Sequence, residues 1–318
     1  MLDQSFSART LVQLLQGSDV IRFKPWPTDA DAGARTAVLT EIASRISAPD
    51  FSFPQFREKS RAGKVIYSAR DITSLLALRK THHNLLRLYG VRQSDRNALI
   101  HQVKELLQDS CAYTVLRLDI ADFYDSVSRV WLMGKLDDDS ILSYTCRELL
   151  RRLFASPQFA TGVGLPRGLA VSATLSELYM RSMDRAMRAL PDVYFYGRYV
   201  DDIIILSCSP ASTVGDLANA AARDLGLRLN PSKCESTECS GTKNRGCIDR
   251  SGFDFLGYRF SMPKHPSDCR EWRPVEIGTQ RRRLARLSFR DGFIKRRYHG
   301  FSRDDLAEVG ECWLYERN

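Results

Sequence analysis

The sequence of 318 residues lacks the long hydrophobic runs and targeting signals of membrane and secreted proteins. No uninterrupted apolar run approaches the ~20 residues that a membrane-spanning helix needs. Residues 1–6 (MLDQSF) do not have the basic and then apolar layout of a secretory signal. We therefore expect no membrane partner and a cytoplasmic location.

Closely spaced cysteine pairs are also missing, although the chain has eight cysteines. Scattered cysteines in a cytoplasmic chain of this length predict reduced thiols rather than a disulfide framework. A zinc site built from Cys234, Cys239 and Cys247, completed by Cys269 or His265, is the alternative. Because the spacings lack the C-x-x-C pairs typical of zinc sites, we favour free thiols in an insertion loop.

Internal repeats and low-complexity linkers are absent, and the hydrophobic content of 43% is ordinary for a globular protein. The chain is long enough to bury a sizeable core in one large or two modest domains. The charge is less ordinary, with a formal net charge of +9. This excess of basic residues predicts a polyanionic partner, of which nucleic acid is the commonest.

Hydrophobic periodicity and end signals predict interleaved helices and strands. Helices are expected from Ser7 to Gly17 and over residues 37–46, 72–89, 96–107, 175–190 and 211–225. Strands are expected over residues 51–67, as a basic hairpin turning at Ala62 and Gly63, and over 113–120, 194–206 and 253–260. Antiparallel strands carrying helices on one face make an α+β arrangement.

Residues 199–202 (YVDD) place two acids where the strands of a hairpin should turn. Adjacent carboxylates between apolar strands need a cation or a hydrogen-bond network, although a simple polar turn is the alternative. Asp119 ends another strand, and neighbouring strands ~4.8 Å apart bring terminal carboxylates within reach of one metal pair. Oxygen ligands favour Mg²⁺ or Mn²⁺, and two such ions suit phosphoryl transfer.

The motifs of this chain resemble, in order and spacing, the palm motifs of reverse transcriptases. They are residues 118–124 (LDIADFY), 165–168 (LPRG), 199–202 (YVDD), Lys233 and residues 255–258 (FLGY). Residues 167–177 (RGLAVSATLSE) look most like bacterial abortive-infection and other defence-associated reverse transcriptases. The resemblance implies a right-hand polymerase core, with fingers and N-terminal helices in 1–110, a palm in 111–262 that contains inserted finger elements, and a short, basic thumb-like segment in 263–318.

The same resemblance implies roles for residues of the palm. Asp119 and Asp201 would coordinate both metal ions with Asp202 beside them, and the backbone of Ile120 would help to coordinate a metal or position the triphosphate. Lys233 matches the lysine that protonates the pyrophosphate leaving group.

Further roles are implied around the nucleotide and the primer. Tyr124, five residues after Asp119, would be an aromatic steric gate against the 2′-hydroxyl of an incoming nucleotide. Arg167 and Gly168 would support the nucleotide and the template–primer end, and Leu256 and Gly257 would form the primer grip. The triphosphate would be met from the fingers by basic residues of the hairpin, Lys59, Arg61 and Lys64. A solvated edge strand is the alternative interpretation of this hairpin.

Three departures from the family pattern carry their own expectations. Many relatives have Gln where this chain has Arg167, which predicts a different contact there, such as an ionic one to a phosphate. Residues 97–101 are similar to an element of retron enzymes, but the Val-Thr-Gly triplet of a retron thumb is absent, so a retron or group II intron type is disfavoured. Residues 261–318 are short for a thumb, which predicts a truncated chain or one completed by a partner.

Other polar groups receive simpler interpretations. His82 and His83 are expected on a helix surface, solvated or facing nucleic acid, and residues 137–139 (DDD) in an acidic turn that caps a helix. Asp122 and Asp125 are interpreted as structural. Arginines and lysines over residues 281–297, interleaved with aromatic residues, favour contact with a duplex backbone over a solvated face.

We expect an RNA-directed DNA polymerase that adds dNTPs to a 3′ end in bacterial antiviral defence. Its partners would be an RNA template, such as a dedicated non-coding RNA, the DNA product, and a protein partner or a second copy of the chain. A template-independent or protein-primed polymerase is one alternative. A catalytically silent RNA-binding subunit is another, although intact Asp119, Asp201 and Lys233 argue against it.

Overall fold

The computed structural model describes residues 2–61, 63–107, 112–160, 162–239 and 253–261, together with the backbone of 276–279. Several predicted features lie outside these residues: Ala62, Cys247, His265, Cys269, the basic residues of 281–297, most of the thumb-like segment and the side chain of Cys239. The chain forms two compact units. The first contains Met1–Arg92 and Asp122–Met180, and the second contains Gln93–Ala121 and Arg181–Asn318.

The first unit is mainly helical and contains one β-hairpin. Its N-terminal segment forms helices α1 (Ala8–Val12), α2 (Gly17–Phe23) and α3 (Ala32–Ser47), strands β1 (Arg57–Arg61) and β2 (Lys64–Ser68), and helix α4 (Ile72–Tyr89). Its second segment forms helices α6 (Phe123–Ser126), α7 (Arg129–Asp139) and α8 (Tyr144–Ala155) and the beginning of α9 (Ala170–Arg188). The predicted basic hairpin is confirmed, with Arg61 opposite Lys64, but residues 51–56 of the predicted strand region are not in a strand.

Gly17 begins a helix instead of ending one, contrary to the prediction. The backbone amide of Gln16 donates a hydrogen bond to Asp19 at 2.7 Å. This capping arrangement satisfies a backbone donor ahead of the first turn of α2 and starts a new helix there.

Helix α4 is buried around most of its circumference, so the predicted surface position of His82 is wrong. His82 is 7% exposed, and its Nδ1 lies 2.6 Å from the hydroxyl of Thr174. Burial lowers the pKa of His82 to about 4, which keeps the ring neutral at pH 7. The polar residues of α4 led to a wrong surface prediction, because their hydrogen-bonding groups and charges find partners inside the unit. Arg79, for example, forms an ion pair with Asp19.

Residues 137–139 end helix α7 and do not form the predicted turn. Leu132 and Leu136, four residues apart, are fully buried and carry the helix through to Asp139. Asp137 is held by guanidinium groups of α8, at 3.1 Å from Arg147 and 2.7 Å from Arg151.

The second unit is built on a four-stranded antiparallel sheet with the order β4–β5–β3–β6. The strands are β3 (Tyr113–Asp119), β4 (Val193–Tyr199), β5 (Asp202–Ser207) and β6 (Glu235–Cys239). Helices α5 (Arg96–Leu106) and α10 (Ala211–Asp224) belong to the same unit, as does a small sheet of β7 (Phe253–Phe255), β8 (Tyr258–Ser261) and β9 (Glu276–Thr279).

Helices cover both faces of this sheet, whereas the sequence predicted one. Helix α5 and strands β7 and β8 pack a common core against Val115, Ile204 and Leu206. Helix α10 contacts the opposite face, where Gly215 lies against Leu116. The run 203–206 (IIIL) of β5 is completely buried, as expected for a strand that is apolar on both faces. None of the helices in the described residues is long and apolar enough to cross a membrane.

Candidate active site

The turn between β4 and β5 holds the two adjacent acids. Tyr199 pairs with Asp202, so Val200 and Asp201 form the turn itself. Val200 has φ +59°, a left-handed conformation that is rare for a β-branched residue and costs about 1–3 kcal/mol. The carbonyl of Asp201 accepts a hydrogen bond from the amide of Ile120 at 3.2 Å, which ties the turn to the end of β3.

The register of β3 and β5 places Asp119 directly opposite Asp202. Side chains of directly paired residues lie on the same face of a sheet, so these carboxylates share one face. Sequence reasoning expected Asp119 to meet Asp201 from a neighbouring strand end. In the structure Asp201 occupies the adjoining turn, and Asp202 is the acid that lies across the strand pair.

Asp119 is buried and is contacted by two residues of the loop after α10. Both of its carboxylate oxygens lie 3.2 Å from Nζ of Lys233, and Oδ2 lies 3.3 Å from Nδ2 of Asn230. The Asp119 side chain is 6% exposed, whereas that of Lys233 is 55% exposed. Asp119, the predicted metal ligand, and Lys233, the predicted proton donor, are therefore in direct contact, with the exposed ammonium on the buried acid.

Asn230 is a site residue that sequence reasoning missed. The backbone amide of Asn230 donates a hydrogen bond to the backbone carbonyl of Asp119 at 2.8 Å. The neighbouring Leu229 forms an isolated antiparallel β-bridge with Ile120. Lys233 in turn donates its backbone amide to the Asn230 carbonyl. The turn sequence Asn-Pro-Ser-Lys was the available signal, because Asn commonly makes local turns that orient nearby groups.

Negative charge accumulates around Asp202. Burial raises the pKa of Asp202 to about 6, and the carboxylates of Asp201 and Asp119 act in the same direction. The cationic groups of Arg117 and Lys233 oppose this shift only in part. A site in which a third carboxylate resists ionisation favours a bound cation.

Arg117 is a second residue that was missed. It lies two residues before Asp119 on β3 and hence on the same face of the sheet. One of its nitrogens is 4.0 Å from Asp202, and another is 3.6 Å from Glu235 of β6. Period-two alternation from Asp119 was the signal that could have found it.

The predicted primer-grip residues line a cavity together with the acidic turn. The cavity has a volume of about 350 Å³ and is lined by Arg96, Arg117, Tyr199, Val200, Asp201, Asp202, Asp254, Leu256 and Gly257. Leu256 and Gly257 have φ values of +49° and +75° and form the tight β7–β8 turn. Arg96 donates to the carbonyl of Leu256 and lies 5.5 Å from the ring centre of Tyr258, so α5 holds this turn in place.

Apart from Ile120, the residues predicted to contact the nucleotide belong to the first unit. Arg167 forms an ion pair with Asp125 at 2.8 Å, and its guanidinium lies 5.7 Å from the ring centre of Tyr124. The carbonyl of Arg167 accepts a hydrogen bond from Tyr67 of β2 at 2.7 Å. Gly168 packs so closely on Ile66 and Tyr67 that a Cβ atom would overlap them.

The basic residues of the hairpin also lie in the first unit. Lys59 pairs with Ile66, and Arg61 pairs with Lys64, so the three basic side chains share one face. All three are exposed.

Asp119, Asp201 and Asp202 suit a hard divalent cation because they offer only oxygen donors. The raised pKa of Asp202 supports this match, since a cation would relieve the repulsion among the three carboxylates. Within the described residues no group of three His, Cys, Asp or Glu side chains is gathered closely enough to hold a metal as it stands. In this arrangement Lys233 neutralises Asp119.

The chain was compared with known proteins. A family model described as reverse transcriptase (RNA-dependent DNA polymerase) matches residues 61–260. No curated protein matches the sequence significantly.

Solved structures of telomerase show a distant similarity. Telomerase from Candida tropicalis in complex with a TWJ fragment of telomeric RNA has a TM-score of 0.49 at 12% identity, over 76% of this chain and 47% of that chain. Apo telomerase from the same organism, truncated from its C-terminal domain, has a TM-score of 0.47 at 12% identity, over 74% of this chain and 56% of that chain. Telomerase from Candida albicans in complex with a TWJ fragment of telomeric RNA has a TM-score of 0.41 at 14% identity, over 58% of this chain and 36% of that chain. The chain thus spans about a third to just over half of the length of these structures.

The family match covers well over half of the chain and contains every motif from Asp119 to Gly257. The chain therefore belongs to the reverse transcriptase (RNA-dependent DNA polymerase) family, which confirms the predicted right-hand, α+β fold class.

Proposed function

We propose that this protein is an RNA-directed DNA polymerase that adds deoxynucleotides to a nucleic-acid 3′ end by two-metal phosphoryl transfer. The observation that carries the proposal is the grouping of acids at the ends of β3 and β5. Asp119 and Asp202 are paired across the strands, Asp201 adjoins them in the turn, and Lys233 contacts Asp119.

Two divalent ions, Mg²⁺ or Mn²⁺, would be held by Asp119, Asp201 and Asp202 with help from the backbone of Ile120. When bound, such ions lower the pKa of an attacking hydroxyl and neutralise charge on the transferred phosphoryl group. The chain's own residues position these carboxylates through the fixed turn and the strand register. Lys233 supplies an N–H donor beside them and is proposed to protonate the pyrophosphate leaving group.

The family resemblance assigns substrate contacts to further residues. Tyr124 excludes the 2′-hydroxyl and so favours deoxynucleotides. Arg167 and Gly168 support the nucleotide and the template–primer end, whereas Leu256 and Gly257 hold the primer. Three exposed cations of the hairpin, Lys59, Arg61 and Lys64, meet the triphosphate.

The wider assignments follow from the same resemblance. The fingers and N-terminal helices are placed in residues 1–110, the palm in 111–262 and a thumb-like segment in 263–318. The template is an RNA, such as a dedicated non-coding RNA, and the product is DNA. We assign the enzyme to cytoplasmic bacterial antiviral defence, acting with a protein partner or a second copy of the chain.

Primer extension tests the proposal. The full chain is given Mg²⁺, dNTPs and a DNA primer, with or without an annealed RNA template of defined sequence, and the product is sequenced. Wild type should synthesise DNA complementary to the RNA, whereas Asp201→Asn should lose at least about a hundredfold in rate, because it removes a metal-binding charge. Asp216→Asn removes an exposed carboxylate of α10 in the same unit and should retain wild-type activity.

The outcomes separate the competing functions. DNA synthesis that does not depend on the template would contradict RNA-directed copying and favour a template-independent polymerase. A wild-type protein that binds RNA but extends no primer would contradict polymerase activity altogether.

A further inference from the structure

A guanidinium group covers the ring of Tyr124. Arg167 places its guanidinium carbon 5.7 Å from the ring centre and donates to Asp125 at 2.8 Å. The Arg167 side chain is only 19% exposed, whereas that of Asp125 is 55% exposed. We call Tyr124, Asp125 and Arg167 the gate cluster.

The backbone that carries the gate cluster is fixed on both sides. The carbonyl of Tyr124 accepts from the amide of Leu165 at 2.6 Å, and the amide of Gly164 donates to Val127 at 3.1 Å. Gly164 has φ +86°, and a Cβ atom there would overlap the Tyr124 carbonyl. With the backbone fixed in this way, the freedom left to Tyr124 is the rotation of its side chain.

Phe123 and Arg167 both restrict that rotation. The ring of Phe123 meets the Tyr124 ring at 5.6 Å in an edge-to-face arrangement, and Arg167 lies over it. Arg167 could swing away if its charge had no partner, but the carboxylate of Asp125 holds it. The planar guanidinium suits this task, because it can stack on a ring and bind a carboxylate at the same time.

We propose that Asp125 and Arg167 are positioning residues that hold the Tyr124 ring and thereby set the selection of deoxynucleotides over ribonucleotides. The inference rests on the proposed function, in which Tyr124 is the sugar gate. It goes further by assigning selectivity to an ion pair that never needs to touch the sugar. A ring that is released from Arg167 samples other rotamers and leaves room for a 2′-hydroxyl.

A direct contact between Arg167 and the triphosphate is the competing role, and it gives different kinetics. Charge lost at a phosphate contact would raise KM for both sugar types equally and leave their ratio unchanged. Loss of the Asp125 partner would then release Arg167 and strengthen its contact with phosphate.

The test measures kcat/KM for a dNTP and for the rNTP with the same base, using the full chain on an RNA template with a DNA primer. The selectivity is the dNTP value divided by the rNTP value. This ratio does not depend on the fraction of protein that is active, so partial misfolding does not change it. Asp125→Asn and Arg167→Gln should each lower the ratio roughly two- to fivefold, in keeping with the modest strength of cation–π contacts. The double variant should fall no further than either single variant, because both act through one contact.

Conservative and gate variants sharpen the test. Arg167→Lys keeps the charge but loses the planar stacking group, so it should recover only part of the ratio. Tyr124→Val should lower the ratio most, and adding Asp125→Asn to it should have no further effect. Asp122→Asn removes the same charge three residues earlier and should leave the ratio at the wild-type value.

The results also separate this inference from the proposed function. If Tyr124→Val lowers the ratio but Asp125→Asn and Arg167→Gln do not, the positioning role is overturned while the polymerase and its gate stand. Equal changes in KM for both sugars in Arg167→Gln overturn it in favour of phosphate contact. If Tyr124→Val leaves the ratio unchanged, the gate assignment itself fails and this inference fails with it.

Discussion

Asp202 shows, at the scale of one residue, how the carboxylates of the candidate active site lower stability. Its carboxylate is partly buried beside Asp201 and Asp119, and its pKa is raised to about 6. The folded state therefore holds the proton more tightly than the unfolded chain, whose Asp pKa is near 3.8. Above pH 6 the charged form must be accommodated in the fold, which costs stability.

We therefore predict that Asp202→Asn stabilises the metal-free protein by about 1–2 kcal/mol above pH 6, after allowing for its partial exposure. The gain should shrink as the pH falls from 6 to 4, because the wild-type carboxyl becomes protonated there. Urea unfolding at pH 4, 6 and 8 measures this dependence.

The exposed Asp216→Asn is the matched control for this experiment and should show no such pH profile. A gain at Asp202→Asn that is the same at pH 4 and pH 8 would mean that the repulsion among the three carboxylates is not its cause. Primer extension by the same variant should be lost, since Asp202 is proposed to help to hold the metal ions.

At the scale of an element, two glycines show how the local backbone decides the effect of a Gly→Ala substitution on stability. Gly164 lies against the backbone of Tyr124 and Asp125, with φ +86° and no space for a Cβ atom. Gly134 lies exposed in the interior of α7, and a Cβ atom there would meet nothing within 4 Å. The same substitution should therefore have opposite effects at the two positions.

Gly164→Ala should destabilise the protein by about 2–4 kcal/mol, through the left-handed backbone and the overlap with the Tyr124 carbonyl. Gly134→Ala should stabilise it by about 0.5–1 kcal/mol, because alanine favours the helix and restricts the unfolded chain. Denaturant unfolding of the two variants gives both free energies. A tolerated Gly164→Ala would show that the loop can shift away from Tyr124.

The sequence predicted some elements closely and missed others for identifiable reasons. The bounds predicted for α4 match the structure, because Asp71 caps its start and Gly90, in a left-handed conformation, ends it. Helices α6 to α8 had not been predicted. The continuous apolar run of β5 revealed a strand but gave no sign of the helices on both of its faces.

The net charge of +9 is a property of the whole molecule and predicts salt-sensitive binding to RNA. Each phosphate contact releases condensed counterions, so the logarithm of the binding constant should fall linearly with the logarithm of salt concentration. If the hairpin cations contact phosphate, Lys59→Gln, Arg61→Gln and Lys64→Gln should each reduce the slope by about 0.7–0.9. Fluorescence anisotropy of a labelled RNA across a salt series measures the slope.

Arg45→Gln removes an exposed cation from α3 and provides the control, with an unchanged slope expected. Hairpin variants that bind RNA with the wild-type slope would place the phosphate contacts elsewhere on the chain. They would favour the alternative interpretation, in which the hairpin is a solvated edge.

The sequence by itself determined the family, the α+β class and the acids proposed for the candidate site. Those features are local: a strand that ends in Asp119, a hairpin that turns at Asp201 and a lysine after a turn can all be recognised from spacing.

Only the tertiary structure decided which groups meet. The strand register set Asp202, and not Asp201, opposite Asp119, and it placed Arg117 on the same face. Burial made His82 a neutral core residue, and the loop at Gly164 brought Arg167 onto Tyr124. These outcomes depend on pairing and packing between segments that are distant in the chain. Residue spacing within one segment does not predict such pairing.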